Sequence, residues 1–345
     1  MSARFSVLVL AAIPISVASS WGQAGDQPPV GKPIPVTPDN FVRAETDMYF
    51  AKFAKKAFGK FHHVRDLPLG EDTGVRPNRD TLYSMAVFDL DAGPVTITLP
   101  DAGQRFMTMM VVDEDHYVPL VVYGKGTHTL ERAMIGTRYV MAWVRTFVDP
   151  SNPQDVLQVH RLQAAVMVNQ KSLGNLETPH WDSVSQKKVR DALFVLNETL
   201  PDLRRAGGRR GEVDPVRHLI ATASAWGLNP DKDAIYLNVT PARNNGATVY
   251  RLTVKDVPVD GFWSVIVYDR RGLILKNDFD AYSLNNITAK KNEDGSVTIQ
   301  FGGWDGKTAN CLPIMPGWNY MVRLYRPRKE VLDGTWKFPE ASAVN

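Results

Sequence analysis

A chain of 345 residues with 44% hydrophobic and 22% charged side chains has an ordinary globular composition, long enough for two domains or one large one. A net charge of +3 without a basic block excludes a nucleic-acid footprint, which needs a concentrated basic face. The single cysteine, Cys311, excludes an internal disulfide and a thiolate metal cluster, so stability must come from core burial.

The N-terminus reads as an export signal. Arg4 is a short positive region, and Phe5 to Ala18 is an apolar run interrupted by Pro14. That run is short for a membrane span. Small residues ending at Ala24 fit a cleavage site, with Ser19 as the alternative. Residues 1–24 are therefore expected to be removed, leaving a periplasmic or secreted product with no stable membrane span. Residues 25–40 are rich in proline and should form an extended arm. Thr37 then reads as a helix cap with Pro38 at the first helical position. Phe41, Ala44, Met48, Ala51, Ala54 and Phe58 recur at helical spacing, and Gly59 closes the helix.

Strands dominate after this helix. In "VTITL", Val95, Ile97 and Leu99 alternate with Thr96 and Thr98, the period of a half-buried strand. With the preceding helix, residues 41–150 read as an N-terminal antiparallel β module. Residues 151–230 change to helical periodicity. Val156, Val159, Gln163 and Val166 form one stripe; Ser183 with Gln186 reads as a capping box, and Asp214 with Pro215 as a helix start. Residues 231–345 return to strands, six of them, including "LILKND" at 273–278, with "ARNNGAT" and "NEDG" as turns. The expected fold class is α+β, mainly β: two antiparallel modules of sandwich or jelly-roll type joined by a helical middle.

No nucleophile elbow, dinucleotide fingerprint, phosphate loop or zinc-protease motif occurs in the sequence. His62 and His63 are adjacent and would point to opposite faces of a strand, a poor pair of metal ligands. No metal or cofactor is expected. Two polar clusters remain. In "RPNRDTLYS", Arg76 to Ser84, strand geometry puts Arg79, Thr81 and Tyr83 on one face and Asp80 on the other. Pro77 should push Arg76 toward an extended conformation. Arg76, Asn78, Arg79 and Tyr83 are candidates to bind a small anionic molecule, since guanidinium groups offer fork-shaped donors. Asp80 is expected to face inward in a structural role, held by a cation or by backbone amides. The competing reading makes the whole cluster an Arg–Asp tie. In "DEDHY", Asp113 to Tyr117, Asp113 and His116 could form a general-base pair with Tyr117 on the ligand rim, unless the segment is a solvated turn. His63 is a second candidate base. A β-meander would bring the two clusters to one rim. Late in the chain, Arg323 and Tyr325 share a strand face.

"RPNRDTLYS" and its strand resemble the N-terminal module catalogued as domain of unknown function 1254. "GFWSVIVYD", "KNDFDAYSLNN" and "NCLPIMPGWNYMVRLYRP" resemble its C-terminal companion, domain of unknown function 1214. The resemblance runs from about residue 40 to the end. It implies a bacterial, often exported protein of two β-rich modules, with no established activity or cofactor. Cys311 stands where the family pattern more often has tryptophan, which should leave room beside it.

The expected function is an exported cell-envelope protein that binds a small anionic or sugar-like ligand between the two clusters. The alternative is a cofactor-independent hydrolase or lyase with a histidine base and arginine charge stabilisation. The intact mass of the exported protein is expected to match a chain cleaved near Ala24. A mature chain that retains Met1 and stays with membranes would contradict the signal reading.

Overall fold

The computed structural model describes residues 31–71 and 75–344. The expected signal at 1–24 and the first part of the arm lie outside the described residues. The architecture is α+β and mainly β. The N-terminal part contains α1 (Phe41–Ala57), β1 (His62–His63), β2 (Thr81–Asp89), β3 (Val95–Leu99), β4 (Met107–Asp113), β5 (Leu120–Tyr123), β6 (Gly126–Leu130), α2 (Arg132–Ile135) and β7 (Tyr139–Phe147). The middle contains α3 (Pro153–Ala164), β8 (Met167–Gln170), α4 (Ser183–Asn197) and α5 (Pro215–Ser224). The C-terminal part contains β9 (Ala234–Val239), β10 (Tyr250–Val254), β11 (Trp263–Tyr268), β12 (Ser283–Asn285), β13 (Val297–Phe301), β14 (Cys311–Leu312), β15 (Asn319–Tyr325), α6 (Lys329–Leu332) and β16 (Ser342–Ala343).

A sheet in the order β1-β2-β7-β4-β5 packs on a smaller sheet in the order β6-β3-β8. The apolar residues of β3 fill the space between them against Phe88, Met109 and Val144. Its two threonines turn outward and bond Thr129 and Thr127 across the strand pair. β8 corrects the expectation of a wholly helical middle, because it pairs with β3. β2, β4 and β7 are apolar on both faces, since α1 covers the side opposite the small sheet.

In the described part of the arm Ile34 pairs with Trp181, and residues 38–40 form a turn that leads into the first helix. α1 departs from its expected stripe. It starts at Phe41 rather than Pro38, and Asn40 folds its side chain onto the Thr37 N–H (2.8 Å). Met48 is 37% exposed, whereas Glu45, Thr46 and Asp47 are buried. The reason is that α4 and α5 cover α1 on the side away from the sheet, and these polar residues have partners there. Glu45 pairs with Arg190 (2.6 Å), and Asp47 accepts from the Trp181 indole (2.8 Å). Asp182, not Ser183, caps α4 by accepting from Ser185 (2.9 Å), while Asp214 and Pro215 open α5 as expected.

The C-terminal part is a sandwich of two four-stranded sheets, β14-β13-β10-β16 and β12-β11-β15-β9. All pairs are antiparallel except β13 with β14. Trp263, Val265, Val267, Tyr320, Val322 and Leu324 point into its core. The alternate residues of β11 and β15 therefore face the N-terminal module. "LILKND" forms no strand. Asp269 caps the backbone of Arg271 and Leu273 (2.8 and 2.9 Å), and β12 takes the sheet edge instead. Cys311 is buried and free, its thiol donating to the Gly302 carbonyl (3.4 Å). Among the described residues, no helix is long and apolar enough to cross a membrane.

Candidate functional site

The outer face of the C-terminal sheet carries a polar row. Register places Tyr236, Arg323, Ser264 and Asn285 side by side across β9, β15, β11 and β12. Asp80 lands on this row. It is 0% exposed and accepts from Asn285 Nδ2 (3.0 Å) and Ser283 (3.4 Å), while its Oδ2 has no partner. Burial pushes its carboxyl above the usual range, and the Asn285 hydrogen bond opposes that. The inward orientation agrees with the sequence. The partners are side-chain donors of the other module rather than a cation or backbone amides.

The rest of the segment is tied to the same sheet. Arg76 donates to Asn319 Oδ1 (2.6 Å), and Asn78 Nδ2 donates to Tyr325 (2.9 Å). Tyr268 donates to the Pro77 carbonyl (2.8 Å), and Arg323 donates to the Arg76 carbonyl (2.9 Å). Arg76 is not extended; its φ is 53°. Its N–H is bound to the Gly272 carbonyl (2.7 Å) and its C=O to Arg323, and these bonds outweigh the local preference set by Pro77.

Beside this joint lies a cavity of about 1080 Å³, walled by both modules and by the loops around α4 and α5. Arg76, Asn78 and Tyr83 line it. Arg79 does not: its guanidinium stacks on Tyr282 (4.6 Å) and donates to the Pro68 carbonyl (3.0 Å). Two further arginines do line the cavity. Arg145 of β7, 4% exposed, touches only neutral acceptors, Asn229 Oδ1 at 3.3 Å, the Gly227 carbonyl at 3.5 Å and Met110 Sδ at 3.9 Å. Arg323 of β15, 3% exposed, has no partner for Nη1. Neither forms an ion pair among the described residues. Between them stands Tyr236, next to Arg323 in register and joined to Arg145 through Asn229 (2.6 Å). The Tyr236 and Tyr325 hydroxyls each accept from a side-chain amide, so each keeps its own O–H proton to donate. Among the described residues, the only carboxylate at the walls is Asp66, which is exposed.

The "DEDHY" cluster does not meet this rim. β7 runs between β2 and β4, antiparallel to both, so β2 and β4 run the same way. Thr81 pairs with Phe147 at one end of β7, and Asp113 pairs with Val140 at the other. Seven residues of strand separate them, roughly 20 Å. His116 is buried with both ring nitrogens committed. Nε2 accepts from Gly227 N (2.7 Å), and Nδ1 bonds Thr222 (2.9 Å), whose hydroxyl is already donating to His218. Burial, then the neighbouring His218, holds its pKa well below the ordinary value. It supports the cavity wall at Gly227 and has no lone pair left for a proton. Tyr117 stacks on His218 (4.5 Å). Asp113 closes its turn by accepting from Asp115 N (2.9 Å) and Tyr117 N (2.8 Å). His63 is half-buried against Ser84 (2.8 Å), away from the cavity. Among the described residues, no group of three or more metal-ligating side chains converges.

The residues that sequence reasoning missed are Arg145, Tyr236, Trp143 and Trp226. One signal was present: in "AWVRTFV" and "YMVRLY" a single arginine interrupts a mostly apolar strand.

Residues 58–132 match the family described as "Protein of unknown function (DUF1254)", and residues 235–329 match "Protein of unknown function (DUF1214)". The chain is thus a two-module protein that carries these families in N- to C-terminal order. The crystal structure of the VPA0106 protein from Vibrio parahaemolyticus is similar, with 18% identity over 89% of this chain and 98% of that one and a TM-score of 0.67. A putative uncharacterized protein from Burkholderia cenocepacia is similar at 13% identity over 88% and 86%, with a TM-score of 0.50. At these identities the likeness is one of fold. No curated protein matches the chain significantly.

Burial raises the Asp113 carboxyl to about 7. The native state therefore keeps this proton at pH values where the unfolded chain has lost it. The stabilisation is full below the ordinary carboxylate range, about 4, and is lost as pH rises through about 7. Asp113→Asn keeps the Oδ1 acceptor but cannot titrate. Denaturant melts across this window should show wild type losing stability relative to Asp113→Asn as pH rises. Parallel curves for the two proteins would contradict the buried, protonated carboxyl.

Proposed function

We propose that this protein binds a small anionic molecule in the cavity at the module joint. The observation that supports this most is the pair of buried arginines, Arg145 and Arg323, one from each module, neither paired with a carboxylate. Burying a charge without a counter-charge costs several kcal/mol even after relaxation. An anion between them would offset that cost. Tyr236 and Tyr325 add neutral donors, so the walls offer protons and almost no negative charge. With residues 1–24 read as an export signal, the protein would meet this ligand in the periplasm or outside the cell.

The histidines give no support to base catalysis, since His116 has both nitrogens in use and His63 lies outside the walls. The test is a set of thermal melts with acetate, benzoate and sulfate against neutral benzamide. At least one anion is expected to raise the midpoint in proportion to the logarithm of its concentration. Arg145→Gln should abolish the shift. An unchanged shift in Arg145→Gln, or an equal shift with benzamide, would overturn the reading.

A further inference from the structure

Resting on that reading, we infer that the anion carries a flat aromatic body, held by an aromatic wall beside the arginine. Phe53 of α1, Trp143 of β7 and Trp226 after α5 come from three separate elements and converge on the cavity. Their ring centroids lie 6.1, 6.1 and 6.2 Å apart. At that spacing the rings touch each other and leave no slot between them, yet each stays only half-buried. The wall therefore offers part of its aromatic surface to the cavity.

The wall is held in place from behind. Trp226 stacks on Tyr49 at 4.4 Å and 18°. Trp143 packs against the backbone of Gly227, where a Cβ would come within 2.6 Å of the indole and φ is +80°. Only glycine fits there without strain or displacement of the ring. A ligand would meet this surface without first ordering it, which favours binding.

The head-group site adjoins this wall. The Arg145 guanidinium sits 5.0 Å from the Trp143 ring and 5.6 Å from Tyr83. A carboxylate at Arg145 thus has its attached carbon beside an indole face. That geometry suits a carboxyl group joined directly to a ring. A flexible alkyl chain would lose rotamer freedom on the same wall and gain less contact with flat faces.

Calorimetry on the purified protein with 2-naphthoate, octanoate, acetate and neutral 2-naphthalenemethanol tests this. 2-Naphthoate should bind about tenfold tighter than octanoate or 2-naphthalenemethanol. Trp226→Leu should weaken 2-naphthoate about tenfold while leaving octanoate within about twofold. Phe53→Leu, on another element, should repeat the effect if the first variant fails to fold. Octanoate as tight as 2-naphthoate, or full 2-naphthoate affinity in both variants, would overturn the aromatic inference and leave the anion reading standing. 2-Naphthalenemethanol as tight as 2-naphthoate would overturn the anion reading. Binding of none of the four would overturn both.

Discussion

A carboxylate and a guanidinium are buried together at the joint between the two modules and do not pair with each other. Asp80 takes side-chain donors of the C-terminal module, Asn285 and Ser283. Arg323 takes carbonyls of the N-terminal module, at Arg76 and Pro77. Each module thus supplies the charge that the other must solvate. An isolated ion in that place would be costly, and raising the Asp80 pKa is the cheaper response. The segment from Arg76 to Asp80 is fixed by this exchange. It holds Arg76 in a left-handed conformation, turns Arg79 away onto Tyr282, and leaves Arg323 with an unmatched donor at the cavity wall.

The cavity is a consequence of the joint. Tyr83 and Arg145 face each other in register on the N-terminal sheet; Tyr236 and Arg323 do the same on the C-terminal sheet. Docking the segment before β2 on the outer face of the C-terminal sheet through Asp80 brings the two pairs together. The walls then hold phenols and guanidinium groups, with aromatic rings contributed by α1, β7 and the loop after α5. An anion held by both arginines would lie across the joint. An unmatched buried donor such as Arg323 Nη1 costs about 1–3 kcal/mol, so even one good acceptor there is a useful source of affinity.

Much of this fold was legible locally. Alternation in "VTITL" reported which face met the core, and Asp214 with Pro215 marked a helix start by chemistry within one turn. What failed was decided by distant residues. The polar face of α1 is buried because Arg190 and Trp181, about 140 positions away, supply its partners. β8 and β14 are short and become strands only by pairing with β3 and β13. The sequence reading put both clusters on one rim; β2 and β4 run the same way on either side of β7, so the start of β2 and the end of β4, where "DEDHY" begins, lie at opposite ends of the sheet. In the first cluster the inward turn of Asp80 followed from strand period. The diversion of Arg79 onto Tyr282 depended on a loop some two hundred residues downstream.

A crystal structure of the protein grown with 2-naphthoate tests the central claim most directly. The carboxylate is expected within hydrogen-bond distance of Arg145 or Arg323 and of the Tyr236 hydroxyl, with the naphthyl ring against Trp143 and Trp226. A carboxylate bound elsewhere on the protein, with both cavity arginines untouched, would contradict it.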